Sequence, residues 1–405
     1  MKITENRFTP ASPRMLRTSG ALLAGMALAF AASAADDPCR VPDAPRVVAV
    51  GDVHGSYNNL VTILRFAGIV DAKDKWAGGK AHLVQTGDLL DRGKDTRKVL
   101  DLLMRLEGEA RKAGGRVHAL LGNHEVMNML GDLRYVNAEE YKAWQEPEST
   151  RRREHYYEAT LAQARKSAKA AGQPFDEDAF RAQFMQQVPL GFIERTAALS
   201  AEGRYGQWLR ERPVVAKVNG VAFVHGGLTP EVAAFGCEAI NARVHRELNE
   251  DVAQSQKDPA STLAAGEKGP LWYRGLAKDD ESILALQVDE VLQSLGAKAI
   301  VVGHSVTGTG RIQARFGGRV VGIDVGMGDV YGGNLAALEV GADGSLTALY
   351  PDRREELVPA AAKAARAAPP SQASRPNSSA RRSRIQALTS QASATGSFSS
   401  GRSGM

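Results

Sequence analysis

Five short apolar runs in this chain each end on a residue type that binds metal ions, and that recurrence limits the folds open to it. Val47-Val48-Ala49-Val50 runs into Gly51-Asp52-Val53-His54-Gly55, Leu83-Val84-Gln85-Thr86 into Gly87-Asp88, and Val117-His118-Ala119-Leu120-Leu121 into Gly122-Asn123-His124-Glu125. Further on, Val221-Ala222-Phe223-Val224 meets His225-Gly226-Gly227, and Ala299-Ile300-Val301-Val302 meets Gly303-His304. Short apolar runs bounded by glycine read as buried strands. Open α/β sheets gather their chemistry at the carboxyl ends of such strands.

The segments between the first runs are helical in pattern. Leu60, Ile63, Leu64 and Ala67 share one face, as do Val99, Leu102, Leu103 and Leu106 before the stop at Gly114-Gly115, which predicts helices over 57–66 and 96–113. Strand, helix, strand, helix, strand is a layered α/β arrangement with its loops at one edge. Residues 138–212 then become charged and rich in Ala and Gln, with Phe180, Phe184, Val188, Leu190, Ile193 and Arg195 at helical intervals. This predicts a helical insertion, either a cap beside the site or a layer that only packs the sheet, because periodicity reports a buried face but not its partner. Residues 213–350 read as a return to short β-rich runs, notably 319–323, 334–340 and 345–350.

The ends differ from the middle. Residues 1–34 carry a net +3 and residues 360–405 a net +7, so the formal +5 of the whole chain leaves −5 for residues 35–359. The basic balance belongs to the termini and gives no support for a nucleic-acid-binding core. Lys2, Arg7, Arg14 and Arg17, an apolar run over 21–32 and then Ala32-Ser33-Ala34 read as a secretory signal peptide over 1–34, too short in its apolar part to span a bilayer. A periplasmic or secreted protein with no transmembrane segment is therefore expected, with a linker over 35–45 and a catalytic domain over 46–358. Residues 359–405, rich in Ala, Ser and Arg, hold too little apolar surface to offset ordering entropy, so disorder is expected. Arg381, Arg382 and Arg384 could make weak contact with an anionic surface; a merely solvated tail is the plainer reading. Cys39 and Cys237 are the only cysteines, and an oxidising compartment would permit them to pair, though nothing in the sequence brings them together.

Asp52, His54, Asp88, Asn123, His225 and His304 form a set of carboxylate, amide and imidazole ligands without a thiolate. That chemistry points away from zinc-finger and iron–sulfur sites and toward divalent manganese, iron, zinc or a similar ion. Two divalent ions are expected, manganese first, with iron or zinc as the alternatives. Six ligands around one central carboxylate allow two metals to share Asp88, the arrangement that hydrolyses phosphate esters. An Asp-x-His or a His beside Gly-Gly alone would be weak evidence. Joint occurrence at successive strand ends is specific.

These blocks, with Gly87-Asp88-Leu89-Leu90-Asp91-Arg92-Gly93 in full, resemble the signatures of the calcineurin-like metallophosphoesterases, in the phosphoprotein phosphatase branch. The continuation from Val126 to Tyr135, and later Pro270-Leu271-Trp272-Tyr273-Arg274-Gly275, narrow the resemblance to the Shewanella-like protein phosphatases. It covers residues 46–350 and departs from the eukaryotic phosphatases over 138–212 and 324–333. The resemblance implies an α/β (α+β) fold with two mixed β-sheets in a central sandwich flanked by helices. It implies Asp52, His54 and Asp88 at one metal and Asp88, Asn123, His225 and His304 at the other. His124 would protonate the leaving group with Asp91 holding its imidazole, and Arg92 and Arg274 would fork onto the phosphoryl oxygens. The expected activity is hydrolysis of a phosphorylated protein or small phosphomonoester, on phosphotyrosine and/or phosphoserine/threonine, by a hydroxide bridging two divalent ions. A diadenosine polyphosphate or other nucleotide phosphohydrolase is the alternative, and a non-catalytic metal-stabilised binding module the remote one.

Overall fold

The structure is a computed structural model that describes residues 37–358. The leader expected over 1–34 and the tail expected over 359–405 lie outside the described residues.

Each apolar run forms a strand: β1 (Arg46–Val50), β2 (His82–Gln85), β3 (Arg116–Ala119), β5 (Val221–Val224) and β6 (Ala299–Val302). They belong to two mixed sheets. One has six strands in the order β11-β10-β9-β1-β2-β3, the other five in the order β4-β5-β6-β8-β7. Here β4 is Val215–Val218, β7 Gln313–Arg315, β8 Val320–Gly322, β9 Ala337–Gly341, β10 Leu346–Tyr350 and β11 Arg353–Val358. Strands β1, β2 and β3 run parallel, as do β5, β6 and β8. Both sets therefore turn their carboxyl ends toward chemistry-bearing loops.

The strand period of two explains why these runs are apolar throughout. Val47 and Ala49, Val221 and Phe223, and Ala299 and Val301 share the cluster between the sheets, while their neighbours Val48 and Val50, Ala222 and Val224, and Ile300 and Val302 belong to the cluster that includes the helices. On that outer side α1 (Tyr57–Phe66) contributes Leu60, Ile63 and Leu64, and α2 (Thr96–Lys112) Val99, Leu102, Leu103 and Leu106, at the spacing the sequence predicts.

The expected helical insertion is present as α4 (Ala138–Lys142), α5 (Ser149–Ala170), α6 (Glu177–Gln187), α7 (Phe192–Leu199) and α8 (Arg204–Arg210). Tyr157, Leu161, Phe184 and Val188 give it a small core of its own. The β-rich reading of 213–350 needs correction over 230–295, which is helical: α9 (Pro230–Ala233), α10 (Gly236–Asn249), α11 (Val252–Lys257), α12 (Gly275–Lys278) and α13 (Glu281–Leu295). Ile240, Val244 and Leu248 in α10, and Leu284, Val288 and Leu292 in α13, recur every four residues, close to one helical turn.

Cys39 and Cys237 are joined in a disulfide with their Cα atoms 5.8 Å apart. The bridge ties the entering segment to α10. That segment runs along β4, with Lys217 N donating to Pro38 O at 2.7 Å and Val41 N to Lys217 O at 3.1 Å, so the edge of the five-stranded sheet is covered. Among the described residues no helix is long and apolar enough to cross a membrane.

Candidate metal centre

Loops from both sheets interlock where the strands end. His225 Nδ1 donates to Thr86 O at 2.9 Å, and the His304 amide donates to Asp52 Oδ1 at 3.1 Å. Nine non-glycine residues among those described have positive φ, and five of them (His54, Asp88, Asp91, Arg92 and His304) are here. Such conformations cost of order 1–3 kcal/mol each and persist where the surroundings over-determine them. Part of that constraint is steric. A Cβ on Gly122 would lie 2.2 Å from Asp88 Oδ1, so glycine alone lets the third loop approach the central carboxylate.

Hydrogen bonds fix the imidazoles with one nitrogen turned inward. A carbonyl can only accept, so the proton of His225 is on Nδ1 facing Thr86 O, and that of His54 on Nδ1 facing Leu90 O at 3.1 Å. The remaining nitrogens then present lone pairs to other lone pairs. His225 Nε2 lies 2.9 Å from Asn123 Oδ1 and 3.4 Å from Asp88 Oδ1, and His54 Nε2 lies 3.6 Å from Asp88 Oδ2. His304 Nε2 is buried without any hydrogen-bond partner. Acceptors that converge on one another in a buried site call for a cation between them.

Two clusters of donor atoms result, His54 with Asp88 and His124, and Asp88 with His225 and His304, each within 4.8 Å. They share Asp88, and the first holds His124 where the sequence reading had Asp52. Burial pushes His54 down to about 4, and burial with the neighbouring His225 holds His304 down at about 2. Both are neutral near pH 7, the form in which imidazole binds a metal. Asp52 lies at the edge of this arrangement. Its carboxylate accepts from the His304 amide and sits against Asp324, and burial followed by the Asp324 and Asp88 charges raises it well above the usual carboxylate range. A divalent ion would remove that repulsion, so the donor set fits the expected group.

His124 is placed differently from Asn123. Its Nδ1 is 2.7 Å from Asp91 Oδ2, while its Nε2 points toward the cluster, 3.9 Å from Asp88 Oδ2. Burial lowers its basicity, but the Asp88 charge and the Asp91 bond outweigh it and leave the imidazole above its ordinary value. Arg92 stacks its guanidinium 3.8 Å over the Tyr135 ring, and its Nε is buried without a partner. With His54, Arg92 lines a cleft of about 360 Å³ that also includes Tyr57, Lys94 and Val330. Arg274 is engaged elsewhere: Nη1 donates to His304 O at 2.6 Å and to Ser305 Oγ at 3.2 Å, which anchors the loop carrying His304.

Three further residues at the site escape a reading by ligand type. Glu125, fully buried, accepts from the amides of Gly122, Asp88, Leu89 and Leu90 at 2.7–3.1 Å and so welds the second loop to the third. Asp324, beyond β8, is the carboxylate facing Asp52. Arg195 of the insertion reaches Asp91. The signal for Arg195 was its charge at a helical position otherwise apolar, because a buried arginine requires a partner.

A family model described as calcineurin-like phosphoesterase matches residues 45–308. Shewanella-like protein phosphatase 2 of Arabidopsis thaliana is 31% identical over 288 residues, covering 70% of this chain and 71% of its own. Shewanella-like protein phosphatase 1 of Plasmodium berghei is 25% identical over 285 residues, covering 70% and 67%. Among solved structures, the cold-active protein-tyrosine phosphatase of a psychrophilic Shewanella species superposes with a TM-score of 0.59 at 28% identity, covering 78% of this chain and 81% of that one.

Proposed function

Because this chain belongs to the calcineurin-like phosphoesterases, and among them to the Shewanella-like protein phosphatases, we propose that the cluster around Asp88 holds two divalent ions and that His124 gives the proton to the leaving group. The protein is a metal-dependent phosphoester hydrolase acting as a protein phosphatase. The observation that carries the site assignment is the convergence of unprotonated donors: His225 Nε2 on Asn123 Oδ1 and Asp88 Oδ1, with the orphaned His304 Nε2 beside them.

Asp52, His54, Asp88, Asn123, His225 and His304 would hold the ions, with Asp88 shared. When bound, the ions supply Lewis acidity toward the phosphoryl oxygens and lower the pKa of water to make a nucleophile. The chain's own groups do the rest. Arg92, with its buried Nε free and its plane fixed on Tyr135, presents a planar cation to phosphoryl oxygens at the cleft. His124 Nε2 faces the reacting region, and its Nδ1 bond to the Asp91 carboxylate favours a protonated ring, which suits it to protonate a departing alkoxide or phenoxide. Asp91 accepts from Nδ1 and keeps the ring in that orientation. Arg274 positions His304, and its proposed reach to the phosphoryl group would use the nitrogens that do not hold the loop.

Manganese is the ion we propose, with iron or zinc as the alternatives, since carboxylate and amide oxygens suit the first and imidazoles the others. The relatives' names support a phosphorylated protein as substrate, and the solved neighbour's name a phosphotyrosyl one, with a phosphoseryl/threonyl protein as the alternative. Export to the periplasm or beyond is supported by the basic, apolar and Ala-x-Ala succession at the start of the chain, and the paired cysteines accord with it. The deciding experiment assays the manganese-reconstituted protein on phosphotyrosyl, phosphoseryl and phosphothreonyl peptides beside diadenosine tetraphosphate. Turnover of the peptides is expected. Preferential cleavage of the dinucleotide would overturn the protein-phosphatase reading.

A further inference from the structure

We infer that Arg195, braced by Glu140, is a positioning residue for proton transfer: it holds the Asp91 carboxylate so that its second oxygen remains on His124 Nδ1. This rests on the reading of His124 as proton donor. It assigns the helical insertion a part in the reaction rather than only a place in the packing.

Asp91 is 0% exposed and Arg195 1% exposed, so neither charge is solvated. Oδ2 takes His124 Nδ1 at 2.7 Å, Oδ1 takes Arg195 Nη2 at 3.3 Å, and Asn128 Nδ2 lies across both oxygens, 3.0 Å from Oδ1 and 3.1 Å from Oδ2, so among the described residues Arg195 is the one cation on the carboxylate besides the imidazole. Arg195 Nε donates to Glu140 Oε1 at 2.8 Å, which sets the plane of the guanidinium and thereby the direction in which Nη2 points. Asp91 itself sits at φ +67°, so its backbone alone does not hold the side chain in a relaxed pose.

Both clamp residues come from the insertion, Glu140 from α4 and Arg195 from α7, the latter 104 residues beyond Asp91. The two helices are set against each other closely. Gly191, which opens α7 at φ +92°, lies where a Cβ would be 1.9 Å from Tyr141 O. A helical layer that served only to cover the sheet would gain by placing a leucine or methionine at 195, because burying an ion pair costs several kcal/mol per ion in desolvation. A planar group that must contact Glu140 with one nitrogen and Asp91 with another explains the arginine, and lysine could not make both bonds.

The test uses the full-length, manganese-loaded protein and compares kcat on an alkyl phosphate with kcat on p-nitrophenyl phosphate, whose leaving group needs no proton. Arg195→Met is expected to lower the alkyl rate by about 10–100-fold, the scale for losing an orienting outer partner, and the p-nitrophenyl rate by only a few fold. Arg195→Lys should restore part of the loss. Glu140→Leu, which is close in size and offers Nε no acceptor, should move the ratio in the same direction and serves where the methionine variant fails to fold. Bound metal and melting temperature are measured on every variant, since a merely structural role would move those and not the ratio. An unchanged ratio in both Arg195→Met and Glu140→Leu, with His124→Asn discriminating between the substrates, overturns this inference alone. No discrimination in His124→Asn overturns the reading beneath it.

Discussion

Asn123 and His124 are adjacent, yet one turns its oxygen to His225 and the other its ring to Asp91, because the first turn of α3 (Asn123–Met129) directs successive side chains about 100° apart. His124→Asn should therefore leave metal content unchanged while lowering kcat on an alkyl phosphate by roughly 10²–10⁴-fold, and by much less on p-nitrophenyl phosphate. Loss of metal along with activity would place His124 among the ligands instead, a position its proximity to Asp88 allows and its bond to Asp91 opposes. Two other histidines lie away from this chemistry. His82 and His118 face each other at 3.1 Å on β2 and β3; burial pushes His82 down to about 4, and burial with the His82 neighbour pushes His118 down to about 3. Their folded values are depressed below the ordinary 6.5, so the unfolded chain binds more protons in that window. The stability they contribute is present above pH 6.5 and lost as pH falls toward 4 and then 3. A His118→Asn variant should show a flatter decline of urea midpoint between pH 6.5 and 4 than the parent, and parallel curves would refute the assignment.

At the level of elements, what the sequence made legible followed from local pattern. Strands β1, β2, β5 and β6 could be read because both faces are buried, one against the other sheet and one against helices, which yields apolar runs with a ligand at each end; β3, half-buried at the sheet's edge, was legible through the buried Ala119, Leu120 and Leu121 at its end. The stretch 230–295 was harder, since Gly266, Gly269 and Pro270 break it up and the four-residue recurrence in α10 and α13 stands among charged positions. The partners of Glu125 and Arg195 were opaque for a different reason: apart from the Gly122 amide they are backbone amides of another loop and carboxylates 55 and 104 residues away, and no local window contains those relations. The Cys39–Cys237 pair belongs to the same class, as its 198-residue separation says nothing about distance until α10 lies beside the segment along β4. That separation gives the bridge a large effect on the unfolded chain. Loop entropy sets its contribution at roughly 5 kcal/mol as an upper figure, with about 2–5 kcal/mol the usual observed cost of removing such a bond. A Cys39→Ser/Cys237→Ala double variant should melt well below the parent with manganese content unchanged, and an unaltered melting temperature would show that the β4 edge is held by its backbone bonds alone.

For the molecule as a whole, the metal cluster sits where two separately built sheets meet, and direct bonds such as His225 to Thr86 and His304 to Asp52 join their loops there. Asp52 and Asp88 stand together with Asp324 in a buried space, so without ions the junction holds repelling carboxylates and facing lone pairs. Ions that bind the folded chain and not the unfolded one stabilise it by mass action, by about 2.7 kcal/mol at a free concentration one hundred times the dissociation constant. Because the ligands come from both sheets, that free energy should appear in global unfolding and not only in fraying of a loop. Stripping the protein with a chelator is therefore expected to lower its melting temperature by several degrees, with manganese restoring it in a concentration-dependent manner. Asp88→Asn removes the carboxylate shared by both clusters and should abolish the metal-dependent part of the shift while retaining a cooperative transition. If the stripped and loaded proteins melted together, the loops would be holding their strained conformations without help from an ion, and the convergence of donors on Asp88 would need another cause.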